Sequence, residues 1–527
     1  MPCPPLAPGL AYGLSQGNNV RVTHSAQNQC RSESMVAVNP TNSQNLICAS
    51  KKFFNPQKYQ FVISTSFSMD GGQTWTESLP TMLPGWDGMT DPDLTFDAFG
   101  NAFLIVEPDL FGADITGIGM YVYKSTNGGK TWNTPVQLHL DPLDDKQWID
   151  ADISPSSPYY GHVYAIWGAD TPLRFARSTD HGVTWRGVGN SPSGSDVSQD
   201  FCYAPALAIG EDGTLHVSWH VPGSSTILYT RSTNGGDSFE PVISAVTGVQ
   251  SLTSFLPQTD GWPHFNHATF RVMTLVTSCP AAGNKLIIGW ADFREGVSRI
   301  YYRIATNSGA MWLGPSSGQA LLPTYGQPEQ SHFHPQLCLA GNTAVGCAFY
   351  EFGPKNGKYL IDVMLTESCS DGNYFVPPIT LTDQPWDPAI DAPWSHGDAN
   401  VTFIGEYFGL AASYNWFAVV WTDTRTGVQE LFFNSGALQA HQTIVIPSEV
   451  AQIIAGVVQD GGGLVVIGGK IIRIPPWDPW IDVLYGIAAI DSINQIQHAS
   501  KAEALASVGK IVTTIVGKLT SGQQEVD

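Results

Sequence analysis

The sequence predicts an all-β chain: a β-propeller of four-stranded antiparallel sheets, with seven blades expected and six as the alternative count. Three observations carry this expectation. A turn-forming octet occurs six times. An apolar strand–turn–strand unit belongs to each repeat and occurs a seventh time with no octet behind it. The composition suits short strands joined by tight turns: 53 Gly and 36 Pro, with 11% aromatic and 13% charged residues, in 527 positions.

The octet reads Ser/Thr-x-Asp-x-Gly-x-Thr-Trp. Its best copies are Ser68–Trp75, Ser125–Trp132, Ser178–Trp185 and Ser232–Phe239, and two degraded copies end at Trp312 and Phe375. The closing aromatics at 75, 132, 185, 239, 312 and 375 are 57, 53, 54, 73 and 63 residues apart. Each step is long enough for one four-stranded sheet. Asp or Asn accepts backbone N–H bonds inside the turn, Gly takes a positive φ, and the aromatic packs between sheets. The octet is therefore read as structural.

The earlier half of each repeat is an alternating strand, a Gly turn and a second apolar strand, as in Asp93–Val106 and Ala206–Trp219. The seventh copy lies at Tyr407–Trp421, followed by the strand Glu430–Phe433. A last blade without its own outer strand is expected to borrow one from the N-terminus, around Asn19–His24, which closes the ring and removes exposed edges. The propeller is thus expected over 1–440. Residues 441–527 are expected to form a small mixed α/β appendage, with helices after Thr443 and around Ile481–Gln497 and Ala502–Leu519, and a Gly-rich strand pair within Gly463–Ile474.

The net charge of −21 argues against nucleic acid or an anionic membrane as partner, since both are held through basic patches. No apolar run reaches membrane-spanning length, and Met1-Pro-Cys-Pro-Pro shows no signal peptide. An extracellular, glycan-facing protein is expected. Cys338 with Cys347 and Cys30 with Cys48 are candidate disulfides, buried free thiols being the other reading. Asn400-Val-Thr402 is a glycosylation acceptor pattern.

The octets resemble the Asp-box repeats of the sialidase superfamily. Asp145-Lys-Gln-Trp-Ile-Asp150, Ser154–Gly161, Phe403–Leu410 and Trp421-Thr-Asp-Thr-Arg425 look like a secreted sialidase-like subgroup. The resemblance covers roughly residues 30 to 435. It implies a propeller fold and an activity drawn from sialidases, other glycosidases, uronate lyases or lectins. Exo-sialidases carry Arg-Ile-Pro in the first blade. Here that tripeptide occurs only at Arg473–Pro475, in the appendage, so exo-sialidase activity is not implied.

Ligands of propellers bind where the innermost strands begin. Those starts offer Arg31 and Glu33, then Asp91 and Asp93, then Trp148, Asp150 and Asp152. They continue with Asp200 and Tyr203, then His264, His267 and Arg271, then His332 and His334, and end with Glu406 and Tyr407. Facing carboxylates suit acid/base cleavage of a glycosidic bond. Glu406, Tyr407, Asp150, Asp91 and His334 are the candidate catalytic residues. Arg271, Glu33, Arg31, Trp148, His332 and Tyr203 are the candidate substrate contacts. Alternation on a strand points His332 and His334 the same way, but a third ligand is missing, so no metal site is assigned. No cofactor is expected, with structural calcium as the one ion a chain this acidic could hold. Trp290-Ala-Asp292-Phe-Arg294 and Trp421-Thr-Asp423-Thr-Arg425 are read as loop-shaping salt bridges. The expected function is hydrolysis of an acidic glycan in the central channel. The alternatives are a uronate-directed lyase of the rhamnose–glucuronate type and a non-catalytic lectin. Divergent strand starts beside uniform octets favour one asymmetric site, and so an enzyme.

Overall fold

The computed structural model describes residues 12–440, apart from 222, 324, 342–343, 369–371 and 415, together with the hairpin 464–467 and 470–473. Seven antiparallel sheets follow one another along the chain. Blade one is Arg31–Val38, Leu46–Asn55, Gln60–Ser68 and Thr76–Ser78. Blade two runs from Gly88–Phe96 to Val136–His139, and blade three from Trp148–Ala151 to Ser195–Tyr203. Blade four spans Ala206–Ile209 to Ile243–Thr247, and blade five begins at Val276–Ala281. Blade six spans Ser331–Ala340 to Ile379–Thr380. Blade seven is Gly409–Ser413, Trp416–Asp423 and Glu430–Ala440, joined on its outer side by Tyr12–Gln16 and Val20–Arg21. Val20 pairs with Phe433, and Val22 N–H donates to Leu431 C=O at 2.9 Å. The count is seven, and the N-terminal strand closes the ring.

First strands of consecutive blades touch all the way round, from blade one back to blade seven. Those of blades one, two, four, five and six are mostly buried, as expected of sheets packed face to face around an axis, whereas Trp148–Ala151 and Gly409–Ser413 are in part exposed. Apolar clusters fill the gaps between blades; Phe103, Ile105, Ile149, Val163 and Trp167 bind blade two to blade three.

The octets are the rivets of this packing. In Ser68–Trp75 the Ser68 hydroxyl accepts Gly72 N–H at 2.9 Å. The Asp70 carboxylate accepts Thr74 N–H at 2.9 Å and the Thr74 hydroxyl at 2.6 Å. The copies at 125, 178 and 232 repeat this pattern. Each closing aromatic rests on the preceding blade: Trp75 on Phe433, Phe239 on Phe175, Trp312 on Tyr229 and Phe375 on Tyr302. The octet glycine has no room for a Cβ, because at Gly72 one would lie 2.2 Å from the Phe433 ring.

Some expectations are corrected. Cys338 pairs with Gly346, and Leu337 with Cys347, so the two cysteines sit one register step apart and point to opposite faces. The cysteines within the described residues, Cys30 and Cys48 among them, are free thiols. Asp200 and Tyr203 belong to the outer strand of blade three, not to the start of blade four. His264, His267 and Arg271 precede blade five in an inserted loop. The strand pair expected in the appendage is the hairpin Leu464–Ile467 with Lys470–Arg473, whereas the helices expected there lie outside the described residues. The compact unit that holds the propeller is Leu14–Leu438. No helix among the described residues is long and apolar enough to cross a membrane.

Candidate functional site

One backbone device recurs where the inner strands begin. Glu33, Asp91, Lys146, Ala204, His334 and Gly405 all have positive φ, between 48° and 95°. They stand at corresponding points of blades one, two, three, four, six and seven. In blades one, two and six this point is also a bulge, where the ladder shifts register between Ser32 and Met35, Thr90 and Asp93, and Phe333 and Gln336. A bulge re-aims side chains and breaks their alternation. Non-glycine residues at positive φ are strained and gather at functional sites.

The re-aimed side chains converge on one buried ionic network. Lys146 Nζ lies 3.1 Å from Glu406, 3.1 Å from Asp91 and 3.6 Å from Glu33. Lys51 Nζ lies 2.8 Å from Glu33 and 3.5 Å from Asp91. Arg271 Nε lies 3.1 Å from Glu406. All six side chains are at least nine-tenths buried. Lys51 sits over the Phe61 ring at 4.5 Å and Lys146 over the Tyr407 ring at 4.6 Å, so each ammonium group also has an aromatic face to hold it.

These surroundings split the acids. Burial, then the neighbouring Asp91, pushes the Glu33 carboxyl up to about 7, against the pull of Lys51 and Lys146. Burial also raises Glu406, but Arg271 and Lys146 outweigh it and bring the group down to about 2. Asp91 is likewise held well below its ordinary value against burial, by Lys146 and Lys51 and by a hydrogen bond with Glu33. Below about pH 7 the site therefore holds a protonated Glu33 carboxyl beside two ionised ones, Glu406 and Asp91.

Arg271 reaches the network from outside the blades. Two insertions, before blade five and before blade seven, carry the hairpins Gln258–Pro263 and Trp394–Thr402. A parallel bridge joins them at Phe270 and Thr402, with Arg271 N–H donating to Thr402 C=O at 3.1 Å. The guanidinium lies between the Trp262 and Phe403 rings, at 4.3 and 4.4 Å, and its Nη1 is 3.0 Å from both Ser395 Oγ and His396 Nδ1. The fork is thus fixed before any ligand arrives.

Of the expected site residues, Glu33, Asp91, Arg271, Glu406 and Tyr407 come together here, and His334 and Tyr203 lie within electrostatic reach of Glu406 and Lys146. Four do not join them. Arg31 binds Glu77 at 2.7 Å within its own blade, turned from Glu33 by the bulge. His332 faces Glu351, its partner across the strand, and stacks on Tyr325, so the bulge separates it from His334. Trp148 packs into the apolar layers of blades three to five. Asp150 bonds Ala151 N–H at 2.8 Å and the Thr95 hydroxyl at 3.3 Å, in a second acidic group with Asp93. Burial pushes Asp150 up to about 6. Asp152 takes the Ser157 hydroxyl and Ser154 N–H, and so shapes a loop.

Lys146 and Lys51 were not anticipated. A partial signal for Lys146 existed: Asp91-Pro92, Ala204-Pro205 and His334-Pro335 mark the same positive-φ point, and Lys146-Gln147 occupies it in blade three without the proline. Lys51 comes from the second strand of blade one, opposite Ser32, where inspection of strand starts does not reach. The expected salt bridges are present. Arg294 Nε donates to Asp292 at 2.9 Å and Arg425 Nε to Asp423 at 3.0 Å, while Trp290 and Trp421 donate to the same acids. His139, Asp141 and Asp144 form the metal-like group found among the described residues, but Arg174 already lies 3.0 Å from His139 Nε2 and 2.8 Å from Asp141.

No family model and no curated protein matches the chain. Solved structures similar to it include a protein of unknown function from Dyadobacter fermentans, at 15% identity over 67% of this chain and 98% of that one, with a TM-score of 0.43. A Trypanosoma rangeli sialidase aligns at 12% identity over 86% of this chain and 63% of its own, with a TM-score of 0.40. A Penicillium chrysogenum α-L-arabinanase aligns at 12% over 80% and 98%, with a TM-score of 0.39. Seven blades riveted by the octet turns make the described chain a seven-bladed β-propeller.

Proposed function

We propose that the chain hydrolyses an acidic glycan at the centre of the ring, with Glu33 as general acid and Glu406 as the ionised carboxylate facing the reacting carbon. The observation that carries this is the split between two acids on one ammonium. Pairs of titratable groups driven apart by their surroundings mark acid and base roles. Glu33, raised to about 7, keeps a proton to give to the leaving oxygen. Glu406, lowered to about 2, stays negative and stabilises the positive charge that develops on the sugar ring. Both oxygens touch Lys146 Nζ, at 3.6 and 3.1 Å, so their separation cannot exceed the sum of those contacts. That suits the ~5–5.5 Å of a retaining pair better than the ~6.5–9.5 Å that admits a water between inverting carboxylates.

Three cations, Lys51, Lys146 and Arg271, in so acidic a chain support an anionic substrate. The differing side chains on one repeated bulge support a single asymmetric site over the repeated sites of a lectin. A lyase would need a base, and burial pushes His334 down to about 3, which leaves it feeble in that role.

The test is product analysis on a panel of acidic glycans, reading new reducing ends and the ultraviolet absorbance of an unsaturated uronate. Reducing ends without absorbance, lost in Glu33→Gln and Glu406→Gln, are expected. Absorbance would replace hydrolysis by elimination, and silence on every glycan would remove the enzyme. The kcat/KM profile should be flat from about pH 2 and fall as pH rises through about 7, where Glu33 loses its proton.

A further inference from the structure

The ring of re-aimed side chains is chemically lopsided. On the side of blades one, two and three it carries Glu33, Asp91 and Lys146, with Glu406 next to Gly405 in blade seven, all bound into the ionic network. On the side of blades four and six the same device carries Ala204 and His334. Ala204 has φ +48° and is followed by Pro205, as Asp91 and His334 are by prolines, yet it offers only a methyl group. At that ring position a methyl group stands where other blades place a carboxylate, an ammonium or an imidazole, and Ala204 is itself partly exposed.

Two polar side chains that both feel Glu406 and Lys146 lack good partners. His334 is 3% exposed, and neither ring nitrogen has a hydrogen-bond partner. Burying polar atoms without partners is costly, so a site that keeps them unpaired is set up for something else to complete them. The Tyr203 hydroxyl, on the residue before Ala204, has one hydrogen-bonding contact, Met273 Sδ at 3.9 Å, a weak acceptor. Both side chains lie within electrostatic reach of Glu406 and Lys146, so what they hold lies beside the reacting centre. Burial keeps His334 and Tyr203 uncharged. A neutral imidazole and a phenol can each donate and accept one bond, which matches the donor and acceptor of a sugar hydroxyl, and neither brings a positive charge to pair with a carboxylate.

We propose that Tyr203, Ala204 and His334 form a subsite for an uncharged sugar, with Tyr203 and His334 bonding its hydroxyls above the methyl of Ala204. The proposal rests on the hydrolase reading for its place in the reaction, since the neutral sugar would be the unit joined to the acidic one. It stands on separate residues, however, and binding can be measured without turnover.

The experiment is saturation-transfer NMR and calorimetry of the full chain with methyl glycosides of neutral hexoses, 6-deoxyhexoses and pentoses. At least one is expected to bind. Tyr203→Phe and His334→Ala should each weaken that binding about tenfold. Ala204→Asn should abolish it; Asn tolerates positive φ, so the fold survives while a bulkier side chain replaces the methyl. Circular dichroism of each variant checks folding. If no methyl glycoside binds the native chain, or if all three folded variants bind as the native chain does, the proposal is overturned. Loss of binding in these variants together with no hydrolysis of any acidic glycan would keep the subsite and remove the hydrolase. Hydrolysis whose KM is indifferent to all three would keep the hydrolase and remove the subsite.

Discussion

Gly405 is the point at which the fold and the site press on each other. It precedes Glu406, has φ +95°, and a Cβ built there would lie 2.7 Å from Glu33 N and 3.3 Å from Glu33 Cα. Gly405→Ala therefore carries two costs. A side chain at positive φ costs about 1–2 kcal/mol. Forcing the new methyl against backbone that cannot yield cheaply adds about 1–3 kcal/mol. The sum is about 2–5 kcal/mol, with Glu33 pushed from its place beside Lys146. Gly427 supplies the control: its φ is +84°, but a Cβ there meets nothing within 4 Å. Gly427→Ala should cost only the first amount and leave turnover unchanged. Urea unfolding of both variants separates the two contributions, and kcat/KM of Gly405→Ala should fall about a hundredfold if Glu33 moves by ~1 Å. Equal stability losses in the two variants, with full activity in Gly405→Ala, would refute the argument that this glycine exists to let blade seven abut Glu33.

Other outcomes follow from the same reasoning. Glu367 is fully buried with both carboxylate oxygens unpaired, and burial pushes it up to about 7. The unfolded chain loses this proton near its ordinary value while the native chain keeps it. The residue therefore takes away about 3 kcal/mol of stability as pH rises to about 7; denaturant titrations of Glu367→Gln across that range should lack this loss. Lys146→Met should destabilise the fold by about 3–5 kcal/mol by leaving three buried acids without their shared cation. It should also move the acid limb of the pH–rate profile upward, because Lys146 helps to hold Glu406 low. Asp180→Ala removes the acceptor of Thr184 N–H at 2.8 Å and of the Thr184 hydroxyl at 2.7 Å, and should cost about 1 kcal/mol in a thermal melt with activity intact.

The octets made the blades legible because turn chemistry is local: Ser, Asp, Gly and an aromatic at fixed offsets suffice to define the hairpin and its seat on the next sheet. The seventh blade was legible from a first half that lacked an octet. The site was read only in part, because alternation, the rule used to aim side chains, fails at a bulge. Arg31 and His332 were assigned to the channel by that rule, and their bulges turned them away. Lys51 meets Glu33 from the next strand of the same hairpin, but the bulge between Ser32 and Met35 shifts the register on which such a pair would be read. Arg271 was found as a residue but assigned to a strand, although the 73-residue step between octets already announced an insertion there.

The strand exchange that closes the ring sets a timing problem for synthesis. Arg21 pairs with Glu430, and Gly17 N–H donates to Ser435 C=O, so blade seven is complete only when the start of the chain meets a stretch made some four hundred residues later. At ~5–20 residues per second the first strand waits roughly 20–80 s for its partner. Until then the blades already made form an open arc with an apolar sheet face uncovered at each end, Val36, Leu46 and Cys48 among the residues left bare on blade one. A chaperone that shields residues 12–22 during translation should raise the yield of soluble protein more than one acting after release.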